Sequence, residues 1–174
     1  PQGKIFVLGH NGPMYKLDIA GTGTLTRYVK KTPNGRTNLP SVMYAPGKIL
    51  SVRRDRIAVA VDINGTGEPV VSSAGTLTYD HQYGSATVLA DGQVWVSGGS
   101  SSGNTLAGLV LQSELWNPST NTWTLAASAV AARLYHSVSL LLPDGTVFTG
   151  GGGAPGPAKQ LNGEIYYPPY LFKA

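Results

Sequence analysis

Two neighbouring residues, Tyr135 and His136, carry donor atoms that could hold a metal. Imidazole nitrogen with phenolate oxygen is a ligand set suited to Cu(II) in tetragonal geometry. Successive side chains on a regular strand point to opposite faces. Two adjacent ligands for one ion therefore need a bend or a strand start, and this pair stands just ahead of a β-prone run, Ser137 to Leu142. From spacing alone a second reading stands beside the first: Tyr135 packs and His136 hydrogen-bonds a backbone carbonyl. Other sources of chemistry are sparse. The histidines are His10, His81 and His136, and no His-x-His or His-Glu-x-x-His links them. Cysteine is absent, which removes thiolates and disulfides within these residues. No Gly-x-Ser-x-Gly elbow and no Walker loop occurs. Among the nine carboxylates, Asp91 and Asp144 read as turn residues, Asp18 and Asp62 close strands, and none pairs into a general acid and base.

The pair must be positioned by the segment around it. Ser137 to Leu142 and Thr146 to Thr149 are β-prone runs joined by Pro143-Asp144-Gly145, and Gly150 to Gly153 close the second. An Asp-Gly turn between two such runs makes a β-hairpin, because glycine accepts positive φ. The rest of the chain repeats the hairpin without the Tyr-His pair. Gly3, Gly47, Gly92 and Gly145 each lead a polar residue and a short β-prone run, at separations of 44, 45 and 53 residues. That period falls among propeller blades, each a four-stranded sheet. Ser41–Tyr44, Ala86–Leu89 and Val138–Leu142 supply a strand before the glycine. Met14–Asp18, Ala58–Asp62, Ser113–Trp116 and Glu164–Tyr167 supply a later one. After three of these the chain turns and continues outward, most clearly at Asn117 to Thr124, where Trp123 covers the outer edge. Loops are expected at Lys30–Leu39, Ser97–Leu109 and Ala154–Ala158. The fold class is all-β, with about three to three and a half blades. Propellers close with roughly four to eight, so a longer polypeptide or another chain is expected to complete the ring.

Composition agrees. Among 174 residues, 23 are glycine, 12 are proline and 13% are charged. This is a balance of short strands and tight turns. The net charge of +4 gathers only at Arg53, Arg54 and Arg56, too thin a footprint for nucleic acid. No run of 18 apolar residues is present. The opening Pro1-Gln2-Gly3-Lys4 is no signal peptide, so a leader has been removed or the chain is an internal piece.

Arg133 to Gly153 closely resembles the copper-ligand blade of the galactose oxidase and glyoxal oxidase family, the copper radical oxidases. Asn162 to Leu171 is similar to that family's passage from a Kelch-type propeller into an immunoglobulin-like domain. The likeness is strong after Gln82 and loose before it, and in its loops the chain resembles bacterial members more than fungal ones. The resemblance implies a partial Kelch-type β-propeller over 1–168 from a seven-bladed whole, with 169–174 starting a linker to the next domain. It implies Tyr135 as axial copper ligand and general base, His136 as equatorial copper ligand, and Gln82 and Tyr83 as substrate-pocket residues. The cysteine-linked radical tyrosine, the aromatic stacked on it and a second histidine ligand are expected outside this chain. The implied whole is a secreted enzyme that oxidises primary alcohols or aldehydes with O₂ and releases H₂O₂. The fragment alone is expected to be inactive. The alternative is a non-catalytic propeller that binds carbohydrate or builds an extracellular or cell-surface assembly.

Overall fold

The computed structural model describes residues 3–36, 38–153 and 155–173. Pro1, Gln2, Thr37, Ala154 and Ala174, which fall in the expected segments above, lie outside them. Four antiparallel sheets follow one another along the chain, each built from strands in sequence order. The first holds β1 (Ile5–Leu8), β2 (Pro13–Asp18) and β3 (Thr24–Lys31). The second holds β4 (Ser41–Ala45), β5 (Lys48–Val52), β6 (Ile57–Asp62) and β7 (Val70–Thr76). The third holds β8 (Ser85–Val88), β9 (Val94–Ser97), β10 (Gln112–Asn117) and β11 (Thr122–Ser128). The fourth holds β12 (Ser137–Leu141), β13 (Val147–Gly151) and β14 (Gly163–Tyr166). The edge strand β8 neighbours both β4 and β12, and β7 meets β11. The sheets therefore stand side by side as blades, with β4, β8 and β12 on the inner side.

Each of β1, β5, β9 and β13 begins within two residues of its leading glycine. The Asp-Gly hairpin between β12 and β13 forms as read: Gly145 takes φ +83°, and the Asp144 carboxylate accepts from the Thr146 amide at 3.0 Å. The outer strands β3 and β7 carry no clear sequence pattern. β3 also runs two residues into the segment read as the Lys30–Leu39 loop. Its charged, exposed residues hide it, and Glu68 holds its edge by accepting from the Val29 and Lys30 amides at 3.2 and 2.9 Å. A 3₁₀ turn at Pro169–Phe172 follows β14, and Tyr170 donates its hydroxyl to the Gly145 carbonyl at 2.5 Å.

The core lies between sheets, which explains strands that are apolar on both faces. Met14 packs with Ile49, Val59 and Val61 between the first two sheets. Leu50, Val52, Ala74, Val94, Val96 and Trp116 fill the space between the second and third. Leu89, Trp95, Leu115 and Val147 fill the last, where Trp95 stacks flat on Tyr166 with centroids 4.4 Å apart. Trp123 does more than cover an edge. Its indole donates to the Ala74 carbonyl of the neighbouring sheet at 2.6 Å, and its ring occupies the space a side chain on Gly75 would need. Arg53 proves structural: it is buried and donates to the carbonyls of Pro33 (2.9 Å) and His10 (2.8 Å), joining the first two sheets.

Leu50 is 1% exposed at the centre of the largest layer. Leu50→Ala should lower unfolding free energy by about 2–5 kcal/mol in denaturant titration. Leu161→Ala, on a fully exposed side chain, should change it by less than about 0.5 kcal/mol.

Candidate functional site

The entry to β12 is a tight turn from Leu134 to Ser137, closed by the Ser137 amide on the Leu134 carbonyl at 3.0 Å. His136 sits in it with φ +65°. A left-handed residue breaks the alternation that would send two neighbours to opposite faces. Both rings consequently lie together, with centroids 3.7 Å apart and planes 28° apart, and both residues are exposed. The glycine run beyond β13 makes room for them. The Gly153 amide donates to the Tyr135 carbonyl at 3.0 Å, and a side chain on Gly151 (φ +73°) would crowd the His136 carbonyl.

The third sheet carries the same device. A turn from His81 to Gly84 closes at 2.9 Å with Tyr83 at φ +63°. The Ser100 amide binds the Gln82 carbonyl at 2.9 Å as Gly153 binds Tyr135. Gln82 and Tyr83 thus stand in one blade where Tyr135 and His136 stand in the next. Tyr83 meets Tyr135 edge to face, centroids 5.7 Å apart. Gln82 is buried, and its amide is taken up by Arg36 (2.6 Å), Asp80 (2.9 Å) and the Ser101 carbonyl (3.1 Å). The structure brings Tyr83, Tyr135 and His136 to one place and turns the Gln82 side chain into a polar network beside them.

Two glutamates missed in the sequence hold these turns. Glu114 on β10 accepts from the Thr78 and Tyr79 amides, both at 2.9 Å, and faces His81 Nε2 at 3.3 Å. Glu164 on β14 accepts from the Val130 and Ala131 amides at 2.7 and 3.2 Å and from Arg133 at 3.2 Å. The signal was a glutamate inside each strand, in Ser-Glu-Leu-Trp and Gly-Glu-Ile-Tyr. Burial pushes the Glu114 carboxyl up, but the hydrogen bonds from His81, Thr78 and Tyr79 outweigh it and leave it below the ordinary glutamate value.

Tyr135 and His136 could offer one O and one N donor side by side to a mononuclear copper, a ligand pair whose chemistry suits that ion. Among the described residues no cluster of three or more His, Cys, Asp or Glu adds to them.

No protein-family model matches the chain. Over 114 residues, 63% of its length, the chain is 32% identical to two galactose oxidase sequences of Gibberella zeae, one from strain PH-1. It spans 17% of the length of each. It superposes over 99% of its length, with a TM-score of 0.89 and 27% identity, on a fungal alcohol oxidase of the AA5 family solved in complex with copper, and covers 40% of that chain. A likeness to YjhT, at 16% identity and a TM-score of 0.57 over 70% of the chain, shows the fold alone.

A carboxyl held low contributes stability that is present above its ordinary value, about pH 4.3, and lost as the pH falls through the lowered one. Thermal melts of the wild type should therefore lose midpoint steeply in acid. Glu114→Gln should melt lower at pH 7 and follow a flatter acid profile.

Proposed function

We propose that this chain is part of a copper radical oxidase-like protein, with Tyr135 and His136 as two of its copper ligands. The observation that carries the reading is the left-handed His136, which sets a phenol and an imidazole side by side. Similarity to galactose oxidase and to a copper-bound alcohol oxidase supports it. His136 would hold copper through a ring nitrogen, which must carry no proton to ligate. Tyr135 would hold it through its phenol oxygen and take the hydroxyl proton of a primary alcohol there. Tyr83 walls the site against Tyr135. Copper would supply the redox chemistry by which an alcohol or aldehyde loses two electrons and O₂ gains them as H₂O₂. The reading extends to a secreted protein of bacterial type with Kelch-type blades over 1–168. Residues 169–174 begin a linker to an immunoglobulin-like domain, and further ligands come from outside this chain. Among the described residues no helix is long and apolar enough to cross a membrane.

A second reading is a non-catalytic propeller for carbohydrate binding or extracellular assembly. Absence of a cysteine-linked tyrosine from the full-length protein would favour it, since none of the nine tyrosines here can form a thioether within this chain. Copper binding and turnover separate the two. Cu(II) added to the chain should give an axial EPR signal with nitrogen coupling. Tyr135→Phe and His136→Ala should each weaken binding by at least about tenfold, a loss that even outer-shell changes produce. Binding untouched by both substitutions would end the copper reading. Copper held by the complete protein with no H₂O₂ from primary alcohols would leave the binding module.

A further inference from the structure

His81 is fully buried, and each of its ring nitrogens faces an acceptor. Nδ1 lies 2.6 Å from the Gly98 carbonyl and Nε2 lies 3.3 Å from the Glu114 carboxylate. A carbonyl oxygen only accepts, and so does an ionised carboxylate. A neutral imidazole has one N–H, and in either tautomer it would turn a lone pair toward one of these oxygens. The next blade shows what the position requires. There Arg133 donates to the Gly151 carbonyl at 2.9 Å and to Glu164 at 3.2 Å. Glu164 in turn caps the Val130 and Ala131 amides as Glu114 caps Thr78 and Tyr79. The same carboxylate, carbonyl and amides recur, with an arginine where the third sheet has a histidine.

We propose that His81 is held as an imidazolium in the role Arg133 plays one blade later, making it a pH-sensitive positioning residue for Tyr83. The anchor acts over a short path. His81 opens the turn that places Tyr83 at φ +63°, and Tyr83 is the ring packed on Tyr135. The glycines beneath it leave no slack: a side chain on Gly99 would fall 2.7 Å from the Gln82 carbonyl. Glu114, from β10, is the charge against the ring. Around it, Arg36 and Asp80 bind the amide of Gln82, Arg56 donates to the Thr78 carbonyl at 2.9 Å, and the Arg133 carbonyl accepts from Gly99 at 2.7 Å. Loss of the proton would leave Glu114 buried without its cation and turn a ring lone pair toward an acceptor oxygen. The His81–Gly84 turn is then the first element to loosen. A buried arginine cannot make this change, because guanidinium stays protonated. The inference stands whether or not copper is bound.

Nitrogen-15 NMR of the histidine rings at about pH 7.5 tests it directly, where an ordinary histidine is mostly neutral. Both His81 nitrogens should show protonated-ring shifts, and the Tyr83–Tyr135 ring contact should weaken as the pH is raised further. A single neutral tautomer of His81 at that pH overturns the proposal. Thermal melts give a second readout. From about pH 6 to about pH 9 the wild-type midpoint should fall by about 5 °C, and His81→Arg should remove that fall. The same fall in His81→Arg would overturn the proposal. If His81→Arg does not fold, the ring measurement on the wild type decides alone.

Discussion

Backbone amides at the joints between blades have no ladder partner and need another acceptor. Glu114 and Glu164 meet that need by reaching across from the following sheet. Glu114 is buried and Glu164 half-buried, and a carboxylate withdrawn from water is stable only with its hydrogen bonds made. Each joint is therefore a closed unit of acid, cation, carbonyl and two amides. The site-bearing turns hang on these units: His81 and Arg133 each stand next to the turn that presents Gln82–Tyr83 or Tyr135–His136. Apolar layers bring the sheets together, and the polar joints fix how one sheet is set against the next.

The equivalence of Gln82–Tyr83 with Tyr135–His136 gives the local logic of the site. Both pairs occupy the centre of a turn whose second residue is left-handed. In one blade the first residue is drawn inward to a network with Arg36 and Asp80; in the other both rings remain outside. One backbone device thus yields, from different side chains, a polar network in one blade and an exposed phenol–imidazole pair in the next.

Much of the architecture was legible because it repeats. Leading glycines and Asp-Gly turns carry their own signal, as do central strands such as Val94-Trp95-Val96, which are apolar on both faces. The outer strands β3 and β7 were not legible, because they are exposed and polar and their pairing is set by neighbours. At the site, the need for a bend between Tyr135 and His136 could be argued from strand alternation. The positive φ that supplies it could not, as nothing in the residue types demands it. His81, Glu114, Arg133 and Glu164 stayed hidden because their partners are backbone atoms 17 to 36 residues away.

Trp123 ties the second and third sheets by an indole bond to Ala74, and those two sheets have four strands each. The first and fourth have three among the described residues. Stability in such an array is distributed, with local opening easiest where neighbours are fewest. Within this chain, amides of β5, β6, β9 and β10, at the centre of the two four-stranded sheets, should exchange most slowly, and Trp95 on Tyr166 ties the fourth sheet to the third. Tyr135 and His136 stand at the entry to the fourth sheet, so an ion bridging them to any other part of the protein would act as a staple as well as a reactant, coupling occupancy to the order of a whole blade.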